Sequence, residues 1–302
     1  MSYMAGIEAG GTKFICAIGD SEGKIFKKVR IETTTPDATI DEVVSFFKSQ
    51  QKQYPLDAVG CGAFGPIDPN KNSKSYGLIT STPKLHWKDF NIVKALSEKL
   101  QLPIGFDTDV NAAALGEYYW GSARGLTDFI YLTVGTGIGG GAMVNGNLLH
   151  GAMHAEMGHI LIPQDKTKDP FEGICPYHKN CLEGLASGPA IKARWQVESA
   201  LMLDKSHPGW EIEADYLSIA LTNYIMTLSP QRIILGGGVM KQQHLFPLIR
   251  QKVKQKLNQY IVNEMIDNLE KTIVPVSLGD NTGVMGALAL AKRAHLEYEL
   301  YS

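Results

Sequence analysis

The chain has 302 residues and a formal net charge of -2, with 29 Lys and Arg against 31 Asp and Glu. That balance offers no basic face for a nucleic-acid partner, and no run reaches the roughly 20 apolar residues that span a bilayer. Hydrophobic residues at 44% and charged residues at 20% are ordinary for a soluble globular protein, and the length suits two domains that each bury a core.

The first apolar run, residues 7–19, carries Glu8, Lys13 and three glycines, which no secretory h-region tolerates. A cytoplasmic, reducing compartment is expected, where the four cysteines serve as metal ligands or core residues rather than disulfides. In chain order, residues 4–18 read as strand, glycine turn, strand, and residues 25–31 as a third strand. A helix follows over 40–50, behind Pro36 and Asp37, then a buried strand over 58–64 that stops at Gly65 and Pro66. Residues 90–100 look helical, with Pro103 before a strand at 104–106 and a helix around 112–117. Residues 129–134 open a second strand, glycine turn, strand unit that closes through 142–144 and the hairpin dipeptide Asn145-Gly146. A strand at 232–235 runs into Gly236, Gly237 and Gly238. A last strand is predicted over 273–278 and a closing helix over 283–294. The alternating Lys252, Lys254 and Lys256 suggest a solvated helix face. The repeated layout predicts an internal duplication. The natural boundary lies near residues 118–126: a smaller α/β domain over 1–117, closed by a C-terminal helix from about 288 to 302, and a larger one over 118–287.

Three glycine turns after apolar strands let backbone N–H groups approach an anion. The Walker pattern is absent. Gly135, Gly137 and Gly140 match a dinucleotide fingerprint, but a hairpin follows where that fold needs a helix. What remains is a pair of phosphate loops, at Gly10, Gly11, Thr12 and Lys13 and at 133–139, suited to a nucleotide triphosphate. Lys13 is either a phosphate counter-charge or an exposed strand residue. Asp109 stands where a strand gives way to a helix. Either Thr108 or Asp109 caps that helix, and Asp109 can instead serve as general base for a hydroxyl attacking a γ-phosphorus. Cys175, His178 and Cys181 form a C-x-x-H-x-x-C pattern that fills three corners of a zinc tetrahedron. His159 is the best fourth ligand, with His154 and His150 behind it. Such a closed site is structural rather than catalytic. Cys16 and Cys61, in apolar strands, suit the core.

These residues together resemble the ROK family of repressors and sugar kinases, and within it the bacterial fructokinase branch, over essentially the whole chain. Residues 6–13 match its first phosphate motif, 108–113 its catalytic motif and 132–139 its second phosphate motif. Residues 156–159 match the sugar and zinc motif, 175–183 the zinc loop, and 235–240 the adenosine motif. The resemblance implies an α/β, actin-like (ribonuclease H-like) ATPase fold of two domains, with a duplicated strand-turn-strand core and a central cleft. It implies a cytoplasmic homodimer that uses ATP with Mg2+, carries structural Zn2+ and phosphorylates the 6-hydroxyl of D-fructose, with Asp109 as base. Sugar contacts fall to Gly65, Thr82, Thr108, Asp109, Glu156, His159 and Glu183. Nucleotide contacts fall to Gly10, Gly11, Thr12, Lys13, Thr133, Gly135, Thr136, Gly137, Pro189, Gly237, Gly238, Val239, Met240 and Lys241. Three departures stand out. Family members often have Asp at Glu8, where a magnesium or water contact is expected, and Asn at Thr108. They also have a third cysteine at His178. That last variant, with Thr80, Ser81, Thr82, Pro83 and Lys84, points to the fructokinase branch. Glucokinase, mannokinase and N-acetylhexosamine kinase are the alternatives. A ROK repressor is set aside because the sequence opens at the first strand, without room for a helix-turn-helix.

Overall fold

The computed structural model describes residues 2–82 and 84–301; Pro83, part of the fructokinase-like segment, lies outside the described residues. The chain forms two compact units. One holds the chain up to Arg124, Leu148–His154 and the chain from Ser277 on; the other holds Gly125–Asn147 and Ala155–Val276.

The first unit begins with β1 (Tyr3–Ala9), β2 (Lys13–Asp20) and β3 (Ile25–Glu32), then α1 (Pro36–Gln50) and β4 (Leu56–Ala63). A short pair, β5 (Leu78–Ile79) and β6 (Phe90–Asn91), precedes α2 (Ile92–Leu100), β7 (Ile104–Thr108) and α3 (Asp109–Trp120). The sheet order is β3-β2-β1-β4-β7, antiparallel across the hairpins and parallel from β1 to β7. The helix expected over 90–100 starts later, because Phe90 and Asn91 pair with β5 and the Asn91 side chain accepts from Lys94 N–H at 2.8 Å, capping α2.

The second unit carries β8 (Phe129–Val134), β9 (Ile138–Val144), β10 (Asn147–Leu148), α4 (Leu182–Ala186), α5 (Gly188–Trp195), α6 (Gly209–Leu228) and β11 (Arg232–Gly236). It continues through α7 (Leu245–Leu257), α8 (Glu264–Asp267), α9 (Leu269–Thr272) and β12 (Ile273–Pro275). Its order, β10-β9-β8-β11-β12, repeats the first sheet: an antiparallel meander followed by two parallel strands. Asn145 and Gly146 both have positive φ, 50° and 75°, the geometry of a type I′ hairpin. No helix is predicted over 209–228. α6 forms there because its buried face holds Trp210, Leu217, Leu221 and Ile225 against α7. Lys252 and Lys256 of α7 are not simply solvated: they pair with Glu211 and Asp215 of α6 at 3.0 and 2.7 Å. β12 stops at Pro275, short of the expected 278.

The chain then returns to the first unit with α10 (Thr282–Tyr301), longer than the 283–294 predicted. Alternation along β4 explains the seat of this helix. Val59 and Cys61 join Ile7, Phe14, Phe47 and Leu96 in the core of one face. Gly60 between them meets α10 on the other, where a Cβ would lie 1.9 Å from the Ala287 carbonyl oxygen. The buried Glu117 carboxylate accepts from Ser122, Ser277 and Leu278 N–H groups, pinning the return to α3. The boundary expected at 117/118 therefore cuts through α3, and Leu148–His154 packs with the first unit. Among the described residues no helix is long and apolar enough to cross a membrane.

Candidate active site

In the first unit, Gly10, Gly11 and Thr12 make the β1–β2 turn and Lys13 opens β2. Gly10 N–H donates to the Lys13 carbonyl at 3.0 Å, Thr33 N–H to the Thr12 carbonyl at 3.1 Å, and the Thr33 hydroxyl to the Gly10 carbonyl at 2.8 Å. Thr12 and Lys13 are exposed. Glu8, near the end of β1, rests its carboxyl against Gly283 at the start of α10. Burial pushes its pKa up against the pull of Lys13 and Lys28.

At the β7–α3 junction Thr108 is the cap: its Oγ1 accepts from Asn111 N–H at 3.1 Å. Asp109 occupies the first helical position and accepts from Val110 N–H at 2.9 Å. Of the two capping alternatives, the structure selects Thr108. That leaves Thr108 buried, with its hydroxyl oxygen already engaged. Asp107, not singled out from sequence, binds Thr108 N–H at 2.7 Å and the Asn111 side-chain amide at 2.8 Å through Oδ1, and His150 Nε2 at 2.9 Å through Oδ2. His154 Nε2 accepts from Ile67 N–H at 3.2 Å, and its ring lies beside Gly65. The two runner-up zinc ligands are thus both occupied elsewhere. Thr82 is buried, and its hydroxyl oxygen accepts from Lys84 N–H at 3.2 Å.

In the second unit, donor atoms of His159, Cys175, His178 and Cys181 all lie within 4.8 Å of one another. His159 Nδ1 is 3.8 Å from Cys175 Sγ and 3.6 Å from Cys181 Sγ, and His178 Nδ1 is 3.7 Å from Cys175 Sγ. Tetrahedral zinc with ordinary Zn–S and Zn–N bonds requires sulfur–nitrogen separations of about 3.6 Å, so the donor set fits. The other ring nitrogen of His159 faces Glu183 Oε1 at 3.9 Å. Glu183 Oε2 in turn accepts from Ile138 N–H at 2.9 Å, linking the cysteine–histidine cluster to the β8–β9 turn. Glu156 is exposed, immediately before the turn that carries His159. Cys16 and Cys61 are buried in the first sheet, and burial pushes the Cys61 thiol up to about 12.

Thr133 ends within β8, and Gly135, Thr136 and Gly137 form the β8–β9 turn. Gly188 N–H donates to the Gly135 carbonyl at 2.8 Å, bringing the start of α5 against that turn. The Ser187 hydroxyl caps α5, with Pro189 in its first turn. At Gly237 φ is +90°, and a Cβ there would lie 2.3 Å from the Val134 carbonyl oxygen, so glycine is required. A cavity of about 390 Å³ opens beside these loops, lined in part by Gly135, Thr136, Pro189, Gly238 and Val239. Gly237, Met240 and Lys241 do not line it, and Met240 is buried. Gly188, Lys192, Glu198, Ser199, Ala200 and Leu201 complete its wall. Sequence reasoning missed them; the available signal was the short apolar run Ala200-Leu201-Met202-Leu203, of which the structure leaves Leu201 and Met202 strongly exposed.

Comparison with known proteins places these features. Residues 4–294 match the model of the ROK family. A Bacillus subtilis (strain 168) protein is 47% identical over 292 residues, 96% of each chain. The fructokinase of Lactococcus lactis subsp. cremoris is 44% identical over 96% of this chain and 97% of its own. A solved ROK glucokinase from Streptomyces griseus, in complex with glucose and AMPPNP, superimposes with a TM-score of 0.75 at 25% identity, covering 97% of this chain and all of that one. The two repeated sheets are those of an actin-like ATPase fold. With the family match spanning nearly its whole length, the chain belongs to the ROK family.

Proposed function

We propose that this chain is an ATP-dependent fructokinase, converting D-fructose to fructose 6-phosphate. The relatives named fructokinase motivate the sugar, and the division of labour at the β7–α3 junction carries the chemistry. Because Thr108 caps α3, Asp109 is not needed as the cap and is assigned the role of base. Its carboxylate takes the proton from the 6-hydroxyl as that oxygen bonds to the γ-phosphorus. The bond from the γ-phosphorus to the β-phosphate bridging oxygen breaks, and ADP leaves. Phosphoryl transfer asks the protein chiefly for positioning and charge stabilisation, which the backbone N–H groups of two glycine turns supply. Mg2+, when bound with ATP, neutralises charge on the β- and γ-oxygens. The cavity beside Gly238 suits an adenosine. Gly65, Thr82, Glu156, His159 and Glu183 are assigned to the sugar hydroxyls.

His159, Cys175, His178 and Cys181 are assigned a structural Zn2+, which ties the turn bearing His159 to the loop before α4. All four positions are protein donors, so no open position remains for a reacting water.

The test compares kcat/KM for fructose, mannose, glucose and N-acetylglucosamine at saturating Mg·ATP, in the wild type and in Asp109→Asn. Fructose should lead, and Asp109→Asn should lose about 10²–10⁴ in kcat while still binding fructose in calorimetry. A lead for glucose or N-acetylglucosamine overturns the fructose assignment alone. Near-wild-type turnover in Asp109→Asn overturns the base.

A further inference from the structure

The segment Leu148–His154, part of the first unit, is bonded to the end of β7 and to the loop at Ile67. It folds into a tight turn, with a β-bridge between His150 and His154 and a Gly151 N–H bond to the Met153 carbonyl at 3.1 Å. At one end His150 Nε2 meets Asp107 Oδ2 at 2.9 Å. Asp107 is 4% exposed, and its other oxygen holds both the Thr108 N–H and the side chain of Asn111, itself 3% exposed. At the other end the buried His154 accepts from Ile67 N–H at 3.2 Å, two residues beyond Gly65. His154 Nε2 must therefore be unprotonated, with any ring proton on Nδ1.

We infer that Leu148–His154 is a strap that sets the position of the Asp109 junction, with Asp107 and His150 as positioning residues for phosphoryl transfer. This rests on Asp109 being the base. Asp107 holds the N–H of Thr108, the residue before Asp109, and the side chain of Asn111, two residues after it, so the start of α3 is clamped on both sides of the carboxylate. His150 orients that clamp from outside. Small displacements of a reacting group cost far more in rate than in stability, because attack needs near-contact geometry. The strap's bonds to Asp107 and Ile67 lie outside the β1–β2 turn, so ATP recognition through that turn should be spared.

The experiment uses the full chain carrying His150→Ala or His150→Gln, each alone and combined with Asp109→Asn. His150→Ala should lower kcat/KM for fructose about tenfold to a hundredfold, leave KM for ATP within about twofold, and barely move the unfolding midpoint, since the side chain is 38% exposed. Glutamine offers Asp107 an N–H donor and should restore most of the activity. On Asp109→Asn, His150→Ala should cost less than about twofold more, the non-additivity of residues acting as a unit. Activity of His150→Ala within about twofold of wild type overturns the strap. So does an equal loss in Ala and Gln, or a full further loss on Asp109→Asn. An active Asp109→Asn removes the base assignment and the strap with it. An inactive Asp109→Asn beside a fully active His150→Ala removes only the strap.

Discussion

The β1–β2 and β8–β9 turns occupy the same place in two sheets of one strand order, yet they are held by different means. The first is closed by its neighbours in the same hairpins: Gly10 bonds Lys13, and Thr33 bonds Thr12 and Gly10. The second also has a local bond, from Gly135 N–H to the Gly137 carbonyl at 2.9 Å, but it is held in addition from outside its sheet. Glu183 of α4 takes the Ile138 N–H, and Gly188 of α5 donates to the Gly135 carbonyl. Glu183 itself sits two residues after Cys181 and faces His159. Duplication thus preserved the frame while one copy came to depend on a cysteine–histidine cluster. The first turn should keep its shape by local bonding; the second should follow the state of that cluster.

The largest test of this contrast removes the zinc proposed for that cluster. Chelation, or Cys181→Ala, should empty the site in elemental analysis. Losing a structural zinc costs several kcal/mol, so the unfolding midpoint should fall by about 10 °C or more, taking about 2–4 °C per kcal/mol for a domain of this size. Exchange of the Ile138 amide proton should quicken while that of Gly10 is unchanged. A metal-free protein with the same midpoint and the same Ile138 protection breaks the comparison.

A smaller test puts one methyl group on each turn. Neither Gly11 nor Gly137 has positive φ, so alanine suits both backbones. At Gly137 the new Cβ would lie 2.7 Å from Glu183 Oε2; at Gly11 the nearest atom is Lys84 Cε at 3.4 Å. Gly137→Ala must displace the carboxylate that holds Ile138 and should cost about 1–3 kcal/mol, as overpacking does. Gly11→Ala should be neutral or stabilise by up to about 1 kcal/mol, by restricting the unfolded chain. Denaturant midpoints decide between them, and equal effects would mean the two turns are held alike.

What the sequence disclosed follows the range of the interactions. The C-x-x-H-x-x-C spacing and Asp109 at a strand-to-helix step are local patterns, and both were legible. Which residue caps α3 was not, because Thr108 and Asp109 are both good caps and only geometry separates them. α6 escaped notice because Ile212, Ile219 and Met226, outside its buried face, blur the apolar stripe. The Asp107–His150 bond spans 43 residues, and nothing in either local pattern announces the other. The cavity wall at 199–201 comes from a single 3-10 turn, capped by Ser199, whose role depends on where α5 delivers it.

The smallest expected effect concerns that same long-range bond and its charge. The hydrogen bond to Asp107 raises the His150 pKa above its ordinary 6.5; burial opposes this, the Asp107 charge and the Leu148 carbonyl add to it, and Arg293 of α10 subtracts. A raised folded-state pKa means that folding favours the imidazolium. Its stabilisation is complete below the unfolded pKa and fades as pH rises through the folded one. Because the ring is half exposed, solvent screens the pair and the effect is small. His150→Gln keeps a neutral donor to Asp107 and removes only the charge. The gap in unfolding midpoint between wild type and His150→Gln should therefore be widest near pH about 5.5 and narrow by pH about 8.5. A gap that widens with pH would show the neutral imidazole as the stabilising form, and the first unit's clamp would then be a plain hydrogen bond, as the β1–β2 turn is.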